Sequence, residues 1–235
     1  MRSKTFTFLI LFIIAGTQLL YAQKSEQRKL SAFTEISMKI GANVHLSQGN
    51  DQIVEVKGEE GTLKKLITEV KDRKLIIRYP TESFFNSKWN PGRVDLFITI
   101  PEIDGLSIIG SGSIIADNKI ESRILDLSLN GSGDIRIENL KAEKVTSLLS
   151  GSGNLYLTGQ QTAAEFNNTL SGSGNVKATG FSANDVNVKI SGSGSCWVNA
   201  TRNLVVRILG SGSVYYKGNP VIDTSILGSG QVKKE

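Results

Sequence analysis

Arg136, Tyr156, Lys177, Trp197 and Tyr215 recur at intervals of 20, 21, 20 and 18 residues, each three positions after a Gly-Ser-Gly tripeptide. If the repeat stacks, these side chains form one stripe of aromatic rings and cations. Such a stripe can hold sugar rings by stacking or anionic polymers by charge-assisted hydrogen bonds. The same residues can equally serve as ordinary cross-strand pairs that stabilise a solvated sheet face, at about 0.2–1 kcal/mol each. A second aromatic group, Phe84, Phe85 and Trp89, lies in a polar stretch ending in Asn90-Pro91-Gly92. It reads either as a loop folded back over the end of a core or as a contact loop for a partner or glycan.

Other chemistry is sparse. His45 is the sole histidine and Cys196 the sole cysteine. Neither has the neighbours a metal site needs, and Cys196 falls in an apolar column where an inert core thiol is expected. No cofactor or metal is expected. Gly-Ser-Gly lacks the outer spacing of a hydrolase nucleophile elbow, and no strand-to-helix phosphate loop is present. A carbohydrate-active enzyme, lyase or hydrolase, remains the alternative. It would need carboxylates aligned on one face, and Asp134 stands alone in its column, with Asp117, Asp126 and Glu138 likewise unmatched.

The element that must position the stripe is the tripeptide itself. Its seven copies place glycines at Gly110 and Gly112, Gly131 and Gly133, Gly151 and Gly153, Gly172 and Gly174, Gly192 and Gly194, Gly210 and Gly212, and Gly228 and Gly230. A period near 20 residues signals stacked units. Two residues before each corner stand Ile108, Leu129, Leu149, Leu170, Ile190, Ile208 and Ile226; two after it stand Ile114, Ile135, Leu155, Val176, Cys196, Val214 and Val232. Alternate residues of a strand share a face, so each unit is strand, corner, strand with one apolar side inward. Stacking alone can bury that side, which predicts an all-β parallel β-helix, a solenoid with right-handed coiling, whose seven rungs span roughly 29–34 Å. Glycine is required at the corners because equivalent residues recur about 4.8 Å apart and a side chain would crowd there.

Before the repeat, residues 33–105 form a strand-rich part. Phe33, Ile36, Met38 and Ile40, then Val44 and Leu46, then Val54 and Val56 alternate, as do Val94, Leu96, Ile98 and Ile100. Leu63, Leu66, Ile67 and Val70 fall at helical spacing and predict one short amphipathic helix within 59–70. Residues 23–32 are polar and expected to be disordered. Residues 1–22 read as a secretory signal peptide: Arg2 and Lys4 precede an apolar run from Phe6 to Leu20, and Leu20-Tyr21-Ala22 closes it. An N-terminal membrane anchor is the alternative, but it needs about 20 apolar residues and this run is shorter; export to the periplasm or cell surface follows, with no stable membrane span after cleavage.

The chain has 235 residues and a net charge of +5. With Arg2 and Lys4 set aside, 25 basic residues face 22 acidic ones, too mild a balance for a nucleic-acid footprint. With one cysteine there is no internal disulfide, so stability must come from packing and strand pairing. Lys233 and Lys234 guard the last rung against edge pairing, although that open end leaves self-association through it as a further option.

The leader, the alternating strands from Phe33 and the recurring Gly-Ser-Gly-Asn/Asp followed by apolar alternation closely resemble the head GIN domain family, over roughly Phe33 to Val232. That family is described as autotransporter adhesins of exported Bacteroidetes-type proteins. The resemblance implies a β-helical exported domain with an adhesive role and no catalytic residues to carry over. No translocating barrel region is read in this chain. The expected function is therefore an exported non-enzymatic module that binds a surface glycan or protein ligand, with a structural envelope role as the remaining alternative.

Overall fold

The computed structural model describes residues 24–84 and 90–235. The expected leader, Phe85 and Trp89 lie outside the described residues, and Phe84 closes a single helical turn. The described chain is nearly all-β, 68% strand and 3% helix, wound into the stacked coils of a β-solenoid with roughly 20-residue spacing.

In chain order the first part holds β1 (Lys24–Gln27), β2 (Glu35–Met38), β3 (Asn43–Gln48), β4 (Ile53–Gly58), α1 (Glu60–Leu63), β5 (Ile67–Lys71), β6 (Lys74–Arg78), α2 (Thr81–Phe84) and β7 (Val94–Ile100). The repeat holds β8 (Gly105–Gly110), β9 (Ser113–Ala116), β10 (Ile120–Gly131), β11 (Asp134–Ile137), β12 (Leu140–Gly151), β13 (Asn154–Thr158), β14 (Ala163–Gly172), β15 (Asn175–Gly192), β16 (Ser195–Gly210), β17 (Ser213–Lys217), β18 (Val221–Leu227) and β19 (Gln231–Lys234).

Two parallel ladders run the length of the molecule. The first is β6, β2, β8, β10, β12, β14, the later halves of β15 and β16, and β18. The second is β7, β3, β9, β11, β13, the earlier halves of β15 and β16, β17 and β19. Sequence order and stacking order differ at one place. The β2–β3 rung lies between the β6–β7 rung and the β8–β9 rung, so the chain starts inside the stack, leaves it and returns one rung earlier. The antiparallel strands β5 on β6, and β4 on β7 followed by β1, finish that end.

The two columns beside the corner make the core. Ile108, Leu129, Leu149, Leu170, Ile190 and Ile208 are buried, as are Ile114, Ile135, Leu155, Val176, Cys196 and Val214. Each such aliphatic side chain contributes about 1.5–3 kcal/mol by leaving water. The same column fails at Ile226, which is 40% exposed because no described rung covers β18.

The corner explains itself atom by atom. Gly131 has φ +134°, and a Cβ there would lie 2.2 Å from the carbonyl oxygen of Gly110 one rung below. At Gly133 a Cβ would meet the Gly112 carbonyl at the same distance. The serine between them is free to carry a side chain because it is exposed; its N–H donates to the rung below, as Ser132 does to the Gly110 oxygen at 3.0 Å.

Two expectations fail. The helix within 59–70 shrinks to the four residues of α1, and Ile67 and Val70 lie on β5 instead. Asp72 and Arg73, at φ +50° and +60°, form a two-residue turn that folds β5 antiparallel onto β6. Two successive positive φ values match the right-handed strand twist, so the hairpin wins over the weak helical spacing. The second failure is at 23–32. Lys24–Gln27 pair with β4, Arg28 N–H donates to the Val54 oxygen at 2.8 Å, and the Gln52 amide donates to the Leu30 and Ser31 carbonyls at 3.1 Å. Polar residues form a strand here because β4 offers an unpaired edge, which composition does not reveal.

Candidate binding surface

The corners set the register of the second ladder, and that register assembles the stripe. Arg136 on β11 pairs with Tyr156 on β13, Tyr156 with Lys177 on β15, Lys177 with Trp197 on β16, and Trp197 with Tyr215 on β17. All five residues singled out from sequence therefore stand in one outward column, continued by Lys233 on β19. Arg136, Lys177 and Lys233 are exposed; Tyr156, Trp197 and Tyr215 are half-buried.

The column makes dense internal contacts. The Arg136 guanidinium lies 4.3 Å from the centroid of Tyr156, and the Lys177 ammonium 5.4 Å from it, on the strands to either side. Trp197 and Tyr215 stack at 5.1 Å with planes 13° apart. Trp197 and Tyr215 thus each give one face to the other, and Tyr156 has a cation on the strand to either side.

The stripe also extends further than spacing reveals. Ile115 on β9 pairs with His45 on β3, which pairs with Phe97 on β7. His45 and Phe97 stack at 4.8 Å and 11°, and Lys57 on β4 lies 4.4 Å from the far side of the Phe97 ring. Sequence reasoning missed this half because β3 enters the stack out of order. The alternation of β3 and β7 was the only available signal.

Beside the stripe runs a polar column. Asn43 Nδ2 donates to Asp95 Oδ1 at 3.0 Å and Ser113 Oγ to Asn43 Oδ1 at 2.8 Å. Further along, Asn154 Nδ2 donates to Asp134 Oδ1 at 2.9 Å and Asn175 Nδ2 to Asn154 Oδ1 at 3.0 Å. These bonds lock the rungs in register and commit the Asp134 carboxylate. Burial pushes the Asp95 carboxyl up, but hydrogen bonds from Asn43 and Arg93, with the Arg93 charge, outweigh it and hold the group below the usual aspartate range.

Charges elsewhere are mostly paired: Lys144 with Glu165 at 2.8 Å, Lys74 with Glu35 at 2.8 Å, Arg207 with Asp223 at 2.6 Å, and Arg202 with Asp185. Among the described residues Arg136, Lys177 and Lys233 have no carboxylate partner. The stripe is thus a line of uncommitted donors.

Cys196 is fully buried, and burial drives its thiol far above the ordinary range. It borders a buried polar pair absent from the sequence reading: Ser147 Oγ donates to Asn168 Oδ1 at 2.7 Å, and Asn168 Nδ2 points to Cys196 Sγ at 3.6 Å. Asp126 faces Thr146 rather than an acid on the next strand. A groove of about 610 Å³ lies off the stripe and is lined by both signs, Glu121 and Glu143 with Arg123 and Lys141. No described helix is long and apolar enough to cross a membrane, and no three His, Cys, Asp or Glu among the described residues gather as metal ligands.

Comparison with known proteins agrees with this architecture. A crystal structure of a putative adhesin from Bacteroides fragilis is 27% identical, with a TM-score of 0.82 over 91% of this chain and 97% of that one. A putative lipid binding protein from Parabacteroides distasonis is 26% identical, with a TM-score of 0.76 over 91% and 96%. A putative adhesin from Parabacteroides merdae, 21% identical with a TM-score of 0.72 over 91% and 96%, shares the fold. No curated protein matches. The family described as putative auto-transporter adhesin, head GIN domain, matches residues 32–220, and the chain belongs to that family.

Proposed function

We propose that this chain is an exported, non-enzymatic binding module of adhesin type and that its contact surface is the second-ladder stripe from Arg136 to Lys233. The observation that carries this reading is the alignment of Arg136, Tyr156, Lys177, Trp197 and Tyr215 on five successive strands, with both cations free of carboxylate partners. A ladder held by backbone bonds and a packed core presents these groups rigidly, so little ordering entropy is lost on binding. Changing Trp197 and Tyr215 together to alanine tests the reading by retention on glycan and host-matrix surfaces. Retention should fall while the fold persists; unaltered retention contradicts it.

A second reading has its own observation. Around a groove of about 340 Å³ near the last rung, Leu209 and Leu227 are 55% and 72% exposed, beside Lys189 and Arg207. Apolar side chains rimmed by cations suit an anionic lipid surface, in keeping with the description of the Parabacteroides distasonis relative. Flotation with anionic vesicles, lost in the Leu209→Gln, Leu227→Gln double variant, would support it; no flotation would remove it.

A further inference from the structure

We infer that the ligand of the stripe is a linear acidic polysaccharide, bearing carboxylate or sulfate groups and lying along the solenoid axis; this rests on the stripe being the contact surface. The first ground is the covering of the aromatic faces. Tyr156 lies between Arg136 and Lys177, Phe97 between His45 and Lys57, and Trp197 and Tyr215 each give one face to the other. An uncharged sugar recognised by stacking, or a single-stranded nucleic acid recognised through its bases, needs open faces. The stripe's side chains carry groups that donate, guanidinium, ammonium, indole N–H and phenol O–H, and ring edges hold the positive part of the quadrupole.

The second ground is charge. Arg136, Lys177 and Lys233 have no carboxylate partner, and the flanking columns add little negative charge. On one side stand Asn154, Asn175, Ser195 and Ser213. On the other, Glu138 stands beside Arg136 as a single exposed carboxylate, and Thr158, Asn199 and Lys217 lead to Glu235, whose carboxylate lies 3.7 Å from Lys217. Asp134 is occupied by Asn154. The third ground is spacing. Arg136 and Lys177 are two strands apart and Lys177 and Lys233 three, so the cations mark a line of roughly 24 Å with intervals of about 10 and 14 Å. A lone anion would meet one of them; only an extended chain engages all three.

The test measures binding of the mature chain to heparin, polygalacturonate, an uncharged glucan and poly-dT, at about 50 and about 300 mM salt, where screening of exposed charges differs strongly. Both acidic glycans should bind, each weakening at least about tenfold at high salt. The same loss should appear at low salt in the Arg136→Gln, Lys177→Gln, Lys233→Gln triple variant. The charge-retaining Arg136→Lys, Lys177→Arg, Lys233→Arg variant should bind like the parent, as should Arg123→Gln on another face. Salt-insensitive binding of the uncharged glucan, abolished by Trp197→Ala, would overturn the acidic ligand and leave the stripe as contact surface. Tighter binding of poly-dT than of either acidic glycan would overturn the glycan class. Acidic glycan binding unchanged in the triple-glutamine variant, or no binding to any polymer, would overturn both the ligand class and the surface.

Discussion

Trp197 and Tyr215 meet ring to ring at 5.1 Å, a contact that stabilises the sheet whatever else it does. A double-mutant cycle to alanine should return a coupling of about 0.5–1.5 kcal/mol in chemical denaturation. Asp95 carries a pH signature. Its carboxyl is depressed, so its contribution is present above the unfolded aspartate value near 3.9 and is lost as pH falls through the lower folded value. Asp95→Asn should therefore flatten the acid limb of the stability profile below about pH 4; an unchanged limb would show that the Asn43 and Arg93 bonds do not matter. Cys196 was legible as a core thiol, since its column neighbours Val176 and Val214 are apolar. Its partner Asn168 was not, because a polar residue inside a β column is indistinguishable in sequence from one that faces water.

At the scale of the element, the corner allows a graded test. Gly131→Ala combines positive φ with a backbone clash and should cost about 2–4 kcal/mol. Gly153→Ala, with ordinary φ but a Cβ 2.2 Å from the Gly133 oxygen, and Gly110→Ala, with φ +125° and nothing within 4 Å, each carry one of the two penalties and should cost about 1–3 kcal/mol. Gly61→Ala on α1 has open space and should be neutral or gain up to about 1 kcal/mol in thermal unfolding. Equal losses at all four positions would refute this account of the corner. The corners and columns were readable because every turn repeats the same constraint. The β5–β6 hairpin was not, since helical spacing at Leu63, Leu66, Ile67 and Val70 competes with a turn whose residues, Asp72 and Arg73, lack the usual glycine.

Across the whole molecule, stacking converts a 20-residue period into two ladders and a single outward line. The repeat half of that line could be read from residue spacing alone. The half through His45 and Phe97 could not, because β3 stacks out of chain order and pairs with strands about 50 and 70 residues away. This rigid line is the basis of the proposed activity, so the most direct measurement is footprinting of the protein with and without saturating acidic glycan. Protection should be confined to side chains of β11, β13, the first halves of β15 and β16, β17 and β19, with Tyr156, Trp197 and Tyr215 most affected. Protection confined instead to the Glu121–Lys141 groove or to β18 would contradict the stripe as the contact surface.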